Sequence, residues 1–189
     1  MNKLISIIAI ALSLQGCIFV AGAAAGAAGV AVVYDHRKLE KILLDEKLAK
    51  NASAKLQQNS NIKENSHIEV TCFNRVVLLT GQANNAETRQ EAEDIVRSVP
   101  NIQRIYNQIV IKRPASSLTR ASDAWITAKI KTEMLATKGL KSGTIKVVTE
   151  NGTVYLMGIV NRDQADIAVD IARQVQGVQR VMKIFQYTN

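Results

Sequence analysis

The chain has two thiols, Cys17 and Cys72. Cys17 stands directly after the first apolar run, in the stretch Leu12-Ser13-Leu14-Gln15-Gly16-Cys17-Ile18-Phe19-Val20. A metal centre needs more ligands than either cysteine has near it. The two histidines, His36 and His67, fall in segments expected to be linkers, away from any Cys, Asp or Glu cluster at ligand spacing. No serine stands in a G-x-S-x-G frame, so a nucleophile elbow is absent. Glu87, Glu91, Glu93 and Asp94 lie among arginines on an expected helix, which reads as a solvated face. Gly81 and Gly158 are expected to end strands before helices, but neither sits in the glycine-rich turn a phosphate loop requires. These residues argue against an enzyme with a cofactor or metal, and for a binding protein.

The surroundings of Cys17 suggest an address. Lys3 gives a positive start, and Leu4 to Leu14 forms an apolar run too short to span a bilayer. Leu14-Gln15-Gly16-Cys17 resembles a bacterial lipobox, with an aliphatic residue three before the cysteine and a small one directly before it. Gln15 departs from the usual small or aliphatic choice. The resemblance implies a signal peptide over residues 1–16, cleavage before Cys17 and acylation of that cysteine. Several acyl chains on one residue anchor far better than one. An ordinary signal peptide or an uncleaved anchor are the alternatives. Position 18 is isoleucine rather than aspartate, which implies the outer membrane, facing the periplasm. Cys72 is then unpaired, in an apolar strand-like stretch where a free cysteine behaves as a small buried hydrophobe.

Elements must position whatever binds. Residues 17–38, rich in Gly and Ala, are expected to be a tether. Leu39, Ile42, Leu43, Leu48, Ala52 and Leu56 have helical spacing over 39–58. Short strands are expected at 68–70 and 76–79, a helix at 86–99 and a strand at 105–111. Pro114-Ala115-Ser116-Ser117 marks a linker, placed at 113–121. Ser122 or Asp123 is expected to cap a second helix running to about Lys138. Strands at 145–149 and 154–157 flank the tight turn Asn151-Gly152. A helix at 162–175 and a strand at 180–187 complete the chain.

The order repeats. Ile68-Glu69-Val70 matches Ile145-Lys146-Val147, and Asn74 to Gly81 falls on Asn151 to Gly158. Asp94-Ile95-Val96-Arg97 falls on Asp170-Ile171-Ala172-Arg173, and Ile102-Gln103-Arg104-Ile105 on Val178-Gln179-Arg180-Val181. The motifs Val154-Tyr155-Leu156-Met157-Gly158 and Gly177-Val178-Gln179-Arg180-Val181 resemble the BON domain. The first copy diverges: Arg75 replaces the turn glycine and Asn101 replaces Gly177. The resemblance implies an α+β fold of two tandem modules, 39–112 and 122–189. Each would be αββαβ, with two helices on one face of a three-stranded mixed sheet. With the lipobox, the whole resembles the dual-BON lipoproteins of the Gram-negative outer membrane.

The helix expected at 123–138 carries the single tryptophan. At about 100° per residue, Ile126, Ile130, Met134 and Thr137 share the stripe that would cover a sheet. Trp125, Ala128, Thr132 and Leu135 lie on the other side, with Lys129 and Lys131 nearby. Tryptophan favours the membrane–water interface, and basic residues favour anionic lipid. The net charge of +8 fits that partner class. The family resemblance implies the same helix as the contact for anionic phospholipids, phosphatidylglycerol and cardiolipin. It also implies a role in outer-membrane integrity, at the division site, and a place near the β-barrel assembly machinery. Two alternatives stay open: Trp125 fills an interface with the first module, or the chain is a protein-binding adaptor for envelope assembly. Nucleic acid is disfavoured, because the few aromatics are scattered and a lipid-anchored protein has little access to it.

Overall fold

The computed structural model describes residues 39–188. The first module runs α1 (Leu39–Gln58), α2 (Ser60–Asn65), β1 (Ser66–Phe73), β2 (Val76–Ala83), α3 (Ala86–Arg97), β3 (Arg104–Asn107) and β4 (Val110–Ile111). The second runs α4 (Ser117–Ala136), a 3-10 turn (Ser142–Thr144), β5 (Ile145–Glu150), β6 (Thr153–Val160), α5 (Arg162–Gln174) and β7 (Arg180–Tyr187). In each, an antiparallel hairpin is followed by a helix that crosses back, so the last strand lies parallel to the middle one.

Local chemistry sets the elements. Asn85 and Asn161 occupy equivalent N-caps, accepting from Thr88 N at 2.8 Å and Gln164 N at 2.9 Å. Both hairpins close on two residues of positive φ: Asn74 (48°) with Arg75 (64°), and Asn151 (48°) with Gly152 (71°). Positive φ at both central residues matches the twist of the flanking strands. A buried aspartate from the first helix then holds each turn. Asp45 accepts from Asn74 N (2.7 Å) and Arg75 N (2.8 Å), and Asp123 accepts from Asn151 N (2.8 Å) and Gly152 N (2.9 Å).

Several sequence expectations are corrected here. Helix α4 begins at Ser117, capped by Ser116 through Thr119 N at 3.1 Å, so it occupies much of the stretch expected as linker. Asp123 is therefore inside the helix and buried, not at its cap. Gly81 and Gly158 lie inside β2 and β6 rather than at their ends. A Cβ on Gly81 would overlap the His67 carbonyl, and one on Gly158 would sit 2.7 Å from Thr144 O. Both are glycine so that neighbouring backbone can approach. His67 lies in β1, not in a linker. The strand expected at 105–111 is broken: Asn107 Oδ1 accepts from Ile109 N (3.2 Å), and buried Ile109 separates β3 from β4. In α1, Leu48, Ala52 and Leu56 are buried, but Leu39 and Leu43 stay exposed.

Each module has its own apolar core between helices and one sheet face. Leu48, Ala52, Leu56, Val77, Leu79 and Val96 belong to the first, and Ile126, Ile130, Met134, Val154, Leu156 and Val169 to the second. The other sheet faces meet each other. Phe73, Val76 and Leu78 of the first module pack with Tyr155, Met157 and Ile184 of the second in one shared cluster. The layers are helices, sheet, sheet, helices. Polar bonds surround the contact: Asn74 Nδ2 donates to Gln186 Oε1 (2.7 Å) and Lys146 Nζ to Cys72 O (3.3 Å). Strand β2 is buried on both sides along its whole length. All three clusters lie within Arg37–Asn189, one compact unit that supplies its own core.

Candidate functional site

Helix α4 displays two opposite faces. Ile126, Ile130 and Met134 are at most 1% exposed and pack on β5 and β6 with α5. On the far side, Trp125 is 53% exposed, Leu135 56% and Leu118 81%. Ala121, Ala128 and Thr132 lie between them and are also exposed. Leu118, Ala121, Trp125, Ala128, Thr132 and Leu135 thus follow alternating three- and four-residue steps, one continuous stripe along the helix.

The sheet-to-sheet contact removes one setting considered for Trp125, a place in the interface with the first module. The modules meet through β-strands, and the tryptophan takes no part in that cluster. The sequence reading placed Trp125, Ala128, Thr132 and Leu135 together, and the structure brings them onto one stripe. It missed Leu118, Ala121 and Arg120, because it began the helix too late. The signal was Ser116 with Thr119 three residues on, a cap pattern read as linker.

The lysines fall on separate flanks. Lys129 Nζ is 2.7 Å from Glu133 Oε1, an exposed ion pair that partly cancels its charge. Lys131 lies on the other flank with Arg120, whose Nη1 donates to Ala115 O at 2.5 Å. That flank borders an open cleft of about 400 Å³ lined by Glu69, Arg120, Thr127, Lys131, Thr149 and Glu150, among others. Thr127 and Thr149 hydroxyls bond across its floor at 2.7 Å. Glu150 is held there by the buried Gln82 amide of β2 and by Asn151 Nδ2 (3.0 Å), both on Oε1. Gln82 Oε1 in turn accepts from Ala115 N at 3.0 Å. Burial raises the Glu150 carboxyl above its ordinary range, opposed by the Gln82 bond and reinforced by the charges of Asp123 and Glu69.

Cys72 is buried, its Sγ 3.5 Å from Asp45 Oδ1. Burial, then the Asp45 charge, pushes the thiol up to about 12. It stays protonated at neutral pH and is a poor nucleophile. Among the described residues no group of three or more His, Cys, Asp or Glu is placed to hold a metal ion. Cys17 lies outside the described residues.

The pattern of the BON domain matches residues 44–113 and 122–189. The chain belongs to the BON-domain family. It is 30% identical over 187 residues to the outer membrane lipoprotein DolP of Haemophilus influenzae, covering 99% of this chain and 96% of that one. It is 35% identical over 143 residues to a 21 kDa hemolysin of Actinobacillus pleuropneumoniae, covering 76% and 74%. The osmotically-inducible protein Y of Escherichia coli is 29% identical over 157 residues, covering 82% and 78%. The duplicated α+β module read from the sequence is the BON fold, and the likeness to DolP supports an outer-membrane lipoprotein. None of these three relatives carries an enzyme's name.

Proposed function

We propose that this BON protein is an outer-membrane lipoprotein that docks helix α4 onto anionic phospholipid and thereby helps maintain outer-membrane integrity at the division site. The observation that carries the reading is the stripe from Leu118 to Leu135, exposed opposite the core and bordered by Arg120 and Lys131. An apolar stripe with tryptophan at its centre and cations at its edge suits the interfacial zone, where rings sit among headgroups. Each nearby cation adds about 1 kcal/mol at an anionic surface. The stripe is ill suited to a second copy of itself. Antiparallel pairing would set Arg120 of one copy beside Lys131 of the other, on the same flank, and like charges there repel. An acylated Cys17 supplies the other attachment, and two weak contacts on one chain reinforce each other. The phospholipids in view are phosphatidylglycerol and cardiolipin.

Co-sedimentation of residues 37–189, without lipid on the chain, tests this with vesicles of rising phosphatidylglycerol content. Binding should rise with anionic content, fall with salt and disappear in Trp125→Glu. A wild-type protein left in the supernatant at every composition would overturn the reading. It would favour an adaptor that meets the β-barrel assembly machinery instead.

A further inference from the structure

The cleft beside α4 has a charge pattern that a purely anionic surface does not use. Arg120 and Lys131 stand on its helix side, and Glu69 and Glu150 on its strand side; a third carboxylate, Asp123, also lines it from the helix, with its oxygens already accepting from Asn151 N (2.8 Å) and Gly152 N (2.9 Å). No ion pair among the described residues joins either cation to either glutamate. Both hydrogen bonds at Glu150 end on Oε1, and none among the described residues ends on Oε2. Lys131 makes no ion pair among the described residues, and its flank adjoins Ala128 of the exposed stripe. Opposite charges that share a cleft without meeting leave room for a ligand carrying both signs. A cation alone would face Arg120 and Lys131, and an anion alone would face the two glutamates.

We propose that this cleft holds the headgroup of phosphatidylethanolamine, its phosphodiester on Arg120 and Lys131 and its primary ammonium on Glu69 and Glu150. This deepens the membrane-docking reading and rests on it: the stripe would enter the interface while the adjoining cleft takes one zwitterionic headgroup. The ammonium brings N–H donors for charge-assisted bonds to carboxylate. The choline headgroup has the same net charge but no N–H, so the cleft would discriminate between the two. Thr127 and Thr149 sit on the floor as neutral partners for phosphate or ester oxygens.

The test uses vesicles of constant phosphatidylglycerol fraction in which phosphatidylcholine is replaced stepwise by phosphatidylethanolamine. Wild-type binding should strengthen several-fold along the series. Glu69→Gln should flatten that response while keeping the phosphatidylglycerol dependence, and Glu150→Gln should do the same. Soluble glycerophosphoethanolamine should shift the amide resonances of Thr127, Thr149 and Glu150, and glycerophosphocholine should not. Equal binding in both zwitterionic lipids would overturn the cleft and leave the docking helix standing. So would a phosphatidylethanolamine response that survives in both glutamine variants, since it would then belong to bilayer packing. Loss of all vesicle binding in the wild type would instead overturn the docking reading itself.

Discussion

The two modules share a fold and differ in what they show to solvent. Aligned on Asp45 and Asp123, the stripe Leu118-Ala121-Trp125-Ala128-Thr132-Leu135 falls on Glu40-Leu43-Lys47-Lys50-Ala54-Gln57. The buried sides of α1 and α4 match in kind: Leu48, Ala52 and Leu56 do the work of Ile126, Ile130 and Met134. The outer sides do not. One is mixed, with exposed Leu43 among charges and Lys50 3.8 Å from Glu46, and the other is apolar around a tryptophan. Packing constrains one side of each helix, and only an external partner constrains the other. The turns differ as well. The second module has glycine where the backbone needs φ of 71°, and the first holds Arg75 at 64°. There the guanidinium bonds Asn101 O at 2.7 Å, a contact glycine cannot make.

These contrasts can be broken one at a time. The aspartates should matter most and matter equally. Asp123→Ala leaves two turn N–H groups without their carboxylate, and should cost about 3 kcal/mol in urea unfolding, as should Asp45→Ala. A much smaller loss in either module would mean that water replaces the carboxylate there. Next comes Trp125→Lys, which gives the second module the first module's residue. Vesicle affinity should fall by about 2 kcal/mol, roughly thirtyfold, with little change in melting temperature. The reciprocal Lys47→Trp should add binding if module identity lies in the helix surface alone. Gly152→Ala should cost about 1.5 kcal/mol, because its Cβ would crowd Gln179 Cγ at 3.0 Å at an unfavourable φ. Arg75→Gly should gain under about 1 kcal/mol, relief of φ being offset by the lost bond to Asn101. Denaturation midpoints check both.

The smallest effect concerns Glu150. Its carboxyl is raised above the ordinary value of 4.5. A raised carboxyl favours the fold while protonated, and that contribution is lost as pH rises through the folded value. Glu150→Gln removes the loss, so the variant should melt slightly higher at neutral pH. The gap should close as pH falls below the ordinary carboxylate range. A gap that persists in acid would assign the change to the Gln82 bond rather than to charge.

Most of the fold was legible because it is local. The Asn151-Gly152 turn and the helical spacing of Leu48, Ala52 and Leu56 act within short reach, and the repeat presents such local patterns twice. What escaped depends on distant partners. Asp123 has the composition of a cap, and only the folded hairpin shows that it serves a turn 28 residues later. Arg75 gives no turn signal of its own, since its φ is imposed by the hairpin around it. The sheet-to-sheet contact left one trace: Val76-Val77-Leu78-Leu79 and Val154-Tyr155-Leu156-Met157 lack the apolar-polar alternation of a half-exposed strand. The exposed stripe of α4 was half legible. Its centre at Trp125 stood out by residue type, but Leu118 and Ala121 lay in a segment composed like a linker.

The central pairing of the two sheets has a consequence for how such a protein can change. With both sheets turned inward, the broad outer surfaces are helical, and a residue there answers to no neighbour in the core. Each copy therefore carries a surface that can be rewritten without re-solving the interior. Duplication supplied two such surfaces on one support, and here they read as two different labels on the same mounting.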